Sequence, residues 1–295
     1  MRVSLGDPSA AVDWFELACL SREATLLRRS DMARILEEAE PDLDERGIEN
    51  AVSDVAAEIS RRESRGGSLY PLTANLYGIH RREVGPEVER LYLFLTLCSV
   101  IPKFRKNQTG FQPGRIFERI AAVALAQFTA GTAVVFADLP HSGVRGRIRE
   151  LAQMLQVAAH ADRARRQRKD HGLDVASWRA FADNRAGHPV FLCQCALARK
   201  PTTLIQKARE IQPGEWGGLL DLREGAFTSA LAIPHALEPG YEHWDELRSN
   251  TDLIIERIRL LSLLEGSSEW IAHLPPADVV NEAVEDWVAR QSSDA

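Results

Sequence analysis

The stretch KDHGLDVASWRAFADNRAGHPVFLCQCA, residues 169–196, decides the fold reading. Its runs LDVASWRAF (173–181) and HPVFLCQCA (188–196) are rich in apolar, aromatic and β-branched residues. Between them, ADNRAG (182–187) carries the Asp, Asn and Gly of a turn. Two consecutive strands joined as a hairpin are the expected outcome. Asp174 opens the first strand, and Gln194 stands inside the apolar run of the second. A buried amide costs stability unless it finds partners, so Gln194 asks for a reason.

Working outward, PGRIFERIAAVALAQFTAG (113–131) reads as a long buried helix and TAVVFADLP (132–140) as a short strand or extended connection. VRGRIRELAQMLQVAAHA (144–161) has the spacing of an amphipathic helix. Beyond the hairpin come a helix at 202–211, a strand at 227–237 and one or two helices over 242–266. This order predicts an α/β or α+β architecture, a small mixed sheet flanked by helices. Towards the N-terminus, 13–29, 30–40 and 48–63 carry apolar residues at three- and four-residue spacing, 68–80 is extended, and 87–101 is a further helix. The polar, Gly/Pro-punctuated IPKFRKNQTGFQPG (101–114) divides a helical N-terminal domain, 1–105, from a second domain, 106–295.

Composition narrows the function classes. With 295 residues and 45% hydrophobic content, the chain can bury one large core or two modest ones. No run reaches the length of a membrane span, and the N-terminus lacks the apolar segment of a signal peptide, so a cytoplasmic protein is expected. Cys19, Cys98, Cys193 and Cys195 show no CxxC spacing, which speaks against a zinc ribbon or a disulfide scaffold. Cys193 and Cys195 share a strand face and read as small buried hydrophobes. There is no GxxxxGK[ST] loop and no GxSxG elbow. Trp216, Trp244, Trp270 and Trp287 are irregularly spaced and read as core anchors. The net charge is -6, yet residues 101–170 hold 13 basic and 5 acidic residues against 23 and 37 elsewhere. Much of the excess lies in RARRQRK, where Arg163, Arg165, Arg166, Arg168 and Lys169 form a candidate footprint for a phosphate backbone. A solvated charge run is the bland alternative.

The turn DHGLD (170–174), with Asp174 at a strand opening and Gln194 about twenty residues later in the next strand, resembles the active-site hairpin of the PD-(D/E)XK nuclease superfamily. The similarity is to its Mrr-type branch, in which Gln replaces the strand acid. Glu118, in GRIFERIAAVAL, matches the acidic residue that this superfamily often carries on its first core helix. The ending IIERIRLL (254–261) is similar to that of nuclease-like proteins in bacterial defence loci.

The resemblance implies a restriction-endonuclease-like core and a metal-dependent DNA endonuclease acting as effector of an anti-phage system. Phosphodiester hydrolysis needs a hard cation, Mg²⁺ or Mn²⁺, to neutralise nonbridging oxygens and activate water. Asp174 would be its principal ligand, joined by Glu118, the Gln194 amide oxygen and the main-chain carbonyl of Cys195. The superfamily's lysine falls at Ala196, so the cation would come from Lys207 on the following helix, or from Lys200 at the strand exit. His171 is the one histidine beside this site. DNA is the expected substrate, with RNA open, and a protein partner of the same system and self-association are further expectations.

The plain readings stand beside these. Asp174 can be a turn residue, Glu118 can pair with Arg115 or Arg119, and Gln194 can be satisfied by backbone. The missing lysine motivates an alternative, a catalytically inactive nuclease fold serving as a nucleic-acid-binding or scaffold subunit. A helical protein-binding adaptor with an incidental basic segment is a third.

Overall fold

The computed structural model describes residues 8–21, 25–106, 110–141, 143–164, 172–183, 185–222 and 227–293. The first element, α1 (Pro8–Leu20), is buried along its whole length from Ala11. It is followed by β1 (Leu26–Arg28), α2 (Arg29–Ala39) and α3 (Glu45–Gly66). Asp44 caps α3 by accepting a hydrogen bond from the Gly47 amide, which satisfies one orphan donor of the first turn. Ile48, Val52, Val55 and Ile59 form the buried stripe of α3, and Arg62 continues it, a charged residue in an apolar register. A hairpin of β2 (Leu72–Asn75) and β3 (Gly78–Arg81) then completes a three-stranded antiparallel sheet of order β1-β3-β2. Next comes α4 (Pro86–Val100), buried on all sides from Leu91 onward.

The second sheet has five strands in the order β4-β5-β6-β7-β8. It is preceded by α5 (Pro113–Thr129) and built from β4 (Thr132–Val135), then, after α6 (Val144–Met154), β5 (Val175–Trp178) and β6 (Val190–Cys195). After α7 (Pro201–Ala208) and α8 (Pro213–Leu219) come β7 (Phe227–Ala232), α9 (Trp244–Arg248) and β8 (Leu253–Ile255). The first three strands are antiparallel neighbours, and β6, β7 and β8 run parallel. The fold closes with α10 (Arg257–Leu264) and α11 (Ala277–Ser293). This is the mixed α+β arrangement expected from the order of elements, a mixed sheet flanked by helices.

Side-chain alternation divides the strands between two faces. Val175, Cys193, Ala230, Ala232 and Ile255 join the core that contains α5. Ala176, Trp178 and Leu192 face α6 and α8, and Ala196, Leu231 and Ile254 face α7 and α9. The α5-side core extends from Ala11 to Trp287 and includes Phe94 of α4, Phe117 of α5 and Leu261 of α10. Residues on both sides of position 105/106 therefore pack into one core. Among the described residues no helix is long and apolar enough to cross a membrane. All four cysteines are free, and Cys19, Cys98 and Cys193 are buried, as small hydrophobes are.

Several elements depart from the sequence reading. The helix expected over 13–29 stops at Leu20, because Leu27 is buried by pairing with Ile79 in the small sheet. Inside the helical reading of 242–266, Leu253–Ile255 pairs with β7 as a fifth strand. The helix expected over 144–161 ends at Met154. Neither α8 nor α11 was anticipated.

Candidate functional site

The register brings the carboxyl ends of β4, β6, β7 and β8 to one rim of the sheet, together with the amino end of β5. Val175 pairs with Cys193, so Asp174, directly before β5, lies beside the Cys193–Cys195 end of β6 that contains Gln194. Asp174 ties the strand ends together. Its amide donates to the Cys193 carbonyl (3.0 Å), and its carbonyl accepts from the Phe136 amide (2.8 Å). Its Oδ2 accepts from the Cys195 amide at 2.7 Å, a charge-assisted bond. Gln194 is 4% exposed, its Nε2 donating to the Cys195 carbonyl at 3.2 Å. Its Oε1 is buried and has no hydrogen-bond partner among the described residues. The backbone thus satisfies half of the amide and leaves the acceptor orphaned.

Glu118 reaches the rim from α5, on the opposite face of the sheet from Gln194. It is 14% exposed and pairs with Arg115 at 2.6 Å. Arg115 and Arg119 in turn bond Asp138, just past β4, at 2.9 and 3.0 Å. The fields of Asp174 and Glu118 both fall on Cys195. Its thiol pKa is pushed well above the usual range by contact with Cys193, by burial and by those two carboxylates. A cation shared by Asp174, Glu118 and Gln194 would have to sit beyond the strand ends, where both faces meet.

Ala196 is buried on the Gln194 face beneath α7, among Leu204, Ile205 and Ala208. Lys207 belongs to that helix and pairs with Glu210 at 3.0 Å. Gly172 lies against Glu210, since a Cβ on Gly172 would fall 2.5 Å from the Glu210 Cβ, and its φ of +76° favours glycine. The Lys207–Glu210 pair is therefore seated against the loop that delivers Asp174. Lys200, the N-cap residue of α7, is exposed. Of the two lysines, the packing ties Lys207 to the Asp174 loop.

Of the basic run, Arg163 is described and exposed, while Arg165, Arg166, Arg168 and Lys169 lie outside the described residues, as does His171. Asp162, beside Arg163, is held by two arginines of α6. Arg145 donates to its carbonyl at 3.0 Å, and Arg149 contacts its carboxylate at 3.2 Å. The sequence reading counted these α6 arginines in the regional charge without assigning them to this loop.

The donors at the rim are oxygens, two carboxylates, an amide and a peptide carbonyl, which suits a hard cation that keeps several of its waters. The orphaned Gln194 Oε1 is the observation that favours such an occupant. Among the described residues, no group of three His, Cys, Asp or Glu side chains is placed to hold a metal ion, so water and substrate oxygens would have to complete any coordination shell.

A second polar cluster went unrecognised in the sequence. Asp13 and Glu16 of α1 are fully buried, as are Arg62 of α3 and Arg257 of α10. Asp13 contacts Arg62 at 2.7 Å, Arg199 at 2.8 Å and Arg257 at 2.9 Å, and it accepts a short bond from Ser99. Glu16 contacts Arg62 and Arg257 at 3.0 Å and accepts from the Tyr70 hydroxyl at 2.6 Å. Burial alone would raise the Asp13 pKa, but Arg257, Arg62 and Arg199 outweigh it and hold the carboxyl well below the usual range. The detectable signal was two acids three residues apart in the otherwise apolar AAVDWFELACL, and Arg62 in the apolar register of α3.

Ser99, His235 and Asp13 in this cluster do not form a nucleophilic triad. His235 Nδ1 lies 3.0 Å from Ser99 Oγ, but its Nε2 is spent on the Ala198 carbonyl at 2.7 Å, and the acid bonds the serine. Ser99 is 2% exposed, so no substrate reaches it. Burial, with Arg199 and Arg105 nearby, lowers the His235 pKa to about 3, leaving a neutral structural imidazole. Arg199 and His235 follow β6 and β7, so the cluster ties α1, α3 and α4 to the same rim as Asp174 and Gln194. Comparison with protein-family models, curated proteins and solved structures finds no match.

Proposed function

We propose that the chain is a metal-dependent nuclease of the PD-(D/E)XK type, hydrolysing DNA phosphodiesters as an effector of bacterial defence. The observation that carries this reading is the meeting of Asp174 and Gln194 on Cys195 at the strand ends, with Gln194 Oε1 left without a partner. A fold needing only a strand closure would gain from Leu at position 194, because an orphaned buried acceptor costs about 1–3 kcal/mol. Asp174, with Gln194 Oε1 and Glu118, would hold Mg²⁺ or Mn²⁺. When bound, the ion supplies charge neutralisation at the scissile phosphate and a lowered pKa for water. Lys207, seated against the Asp174 loop through Glu210, would orient the attacking water, while Arg163, Arg145 and Arg149 would lie along the phosphate backbone.

The alternative, a nuclease fold that binds nucleic acid or a defence partner without cutting, is favoured by Ala196, which leaves the usual lysine position buried and apolar. Plasmid cleavage with Mg²⁺, Mn²⁺ or EDTA separates the two. The nuclease reading expects metal-dependent nicking that Asp174→Ala abolishes and Lys207→Ala reduces at least about 100-fold, the range of a lost acid-base or electrostatic group. No cleavage, with DNA binding that persists in EDTA and weakens steeply with salt, would establish the scaffold.

A further inference from the structure

Glu118 already carries a cation, the guanidinium of Arg115. Arg115, Glu118 and Arg119 stand at i, i+3 and i+4 in the first turns of α5 and so share a face of the helix. Arg115 divides itself between two acids, Nη1 donating to Glu118 Oε2 at 2.6 Å and Nη2 to Asp138 Oδ1 at 2.9 Å. Arg119 holds the other Asp138 oxygen through Nε at 3.0 Å. The set is neutral, two guanidinium groups against two carboxylates. Its burial is graded, with Glu118 14%, Arg115 28% and Arg119 45% exposed, so the arginines lie nearer to solvent than the carboxylate they shield.

This arrangement sets up two competitions. A divalent cation that engages Glu118 must displace Arg115, and a phosphate that engages Arg115 must draw it from both acids. A guanidinium fork suits phosphate oxygens as well as it suits a carboxylate, so the second exchange is chemically even. Either ion alone leaves an uncompensated charge in a part-buried set. Arriving together they exchange partners, the cation taking the carboxylate and the phosphate taking the guanidinium, and every charge stays paired. Asp138 is not stranded by the exchange, because Arg119 still grips it. The turn that carries Asp138 is also tied to the cation side, since the Phe136 amide donates to the Asp174 carbonyl at 2.8 Å.

We propose that Arg115 is a latch released by phosphate: the nonbridging oxygens of a nucleic-acid backbone draw its guanidinium off Glu118 and free that carboxylate for the cation. The proposal rests on the reading of Glu118, with Asp174, as a cation ligand. Linkage makes the coupling reciprocal, so bound metal tightens the grip on phosphate by the same factor. The latch keeps the site from filling with metal until a backbone lies along it.

The test uses the full chain and Mn²⁺. Free Mn²⁺ is counted by electron paramagnetic resonance with a short DNA duplex, or with the same duplex on an uncharged methylphosphonate backbone, each corrected for the DNA alone. Wild type is expected to bind Mn²⁺ at least about ten-fold more tightly with the charged duplex, within the roughly 5–150-fold range of couplings between sites. Arg115→Gln releases Glu118 from the outset, so without DNA it should bind Mn²⁺ at least about five-fold more tightly than wild type and lose most of the coupling. Arg119→Gln removes the same charge from the same helix face but no bond to Glu118, and its gain without DNA should stay below about two-fold, the effect of a screened exposed charge. Glu118→Gln should erase the coupling. The latch is overturned if Arg115→Gln binds Mn²⁺ no more tightly than wild type, if Arg119→Gln matches it, or if the charged backbone makes no difference to wild type, while Asp174→Ala still removes the binding. Absence of Mn²⁺ binding in wild type and in every variant, with and without DNA, would instead sink the metal-dependent reading itself, and the latch with it.

Discussion

Two polar clusters lie at the same rim of the five-stranded sheet, and they are satisfied to different degrees. Around Asp13, three arginines, two carboxylates, a serine, a tyrosine and a neutral histidine bond one another with little left over, Arg62 Nη2 being the exception without a partner. Around Gln194, an acceptor is buried with nothing to accept. A buried charge network that closes on itself specifies how α1, α3, α4 and α10 meet the sheet, whereas a half-satisfied amide is a stability cost that packing does not require. The contrast separates a network that closes on itself from a buried acceptor left without a partner.

The largest effect is expected at Asp13. Asp13→Ala leaves Arg62, Arg199 and Arg257 with only Glu16 and Glu58 as carboxylate partners and Arg199 with neither, and it should destabilise the fold by ~3–5 kcal/mol in urea unfolding. A loss below about 1 kcal/mol would show that the cluster is solvated and dispensable.

Proton linkage sharpens the same side. His235 has a folded pKa of about 3 against 6.5 for the free side chain, so the unfolded chain takes up a proton that the folded chain refuses. Its contribution is complete above pH 6.5 and falls by up to about 1.4 kcal/mol per pH unit as pH drops toward 3. The depressed Asp13 carboxyl adds its own loss only below its ordinary value of 3.8, and the Glu256 carboxyl, raised above 4.5 by burial, adds a slope of opposite sign, so between pH 6.5 and 4.5 the histidine is read as the difference between wild type and His235→Gln. His235→Gln should flatten the slope in that window, and an unchanged slope would refute the buried neutral imidazole.

The smallest stability effects belong to the other cluster. Asp174→Ala removes the charge-assisted bond to the Cys195 amide and should cost about 1.5–3 kcal/mol. Gln194→Leu removes an orphaned acceptor along with one weak amide bond and should change stability by no more than about 1 kcal/mol in either direction. Both should nevertheless abolish Mn²⁺ binding measured by calorimetry. A Gln194→Leu protein that is destabilised by several kcal/mol and still binds metal would place Gln194 with the structural cluster.

Much of the large sheet was legible because its signals are local. Alternation and turn residues marked β5 and β6, and the three- and four-residue spacing marked α5 and α7, so Asp174, Gln194 and Glu118 were placed on the right elements. β8 was not legible, since three apolar residues suit a helix or a buried strand equally well until β7 offers its edge. β1 failed in the same way, its Leu27 becoming a strand residue only when Ile79 arrives from more than fifty positions away. The Asp13 cluster joins residues up to 244 positions apart, a separation that no window of sequence spans.

Local sequence sufficed for the alternation of elements, the hairpin from 173 to 196, the lack of CxxC spacing and the uneven charge. Those properties depend on neighbours a few residues away along one strand or one helical turn. The tertiary structure alone decided that the segments before and after position 105 share one core and that Asp13 and Glu16 meet three arginines rather than a ligand. It also decided that Gln194 keeps a bare oxygen and that Arg115 is shared between Glu118 and Asp138. These outcomes turn on whether a polar atom finds a partner, and partners are supplied by distant chain brought close through burial of apolar surface, which fixes the geometry only when the whole molecule packs.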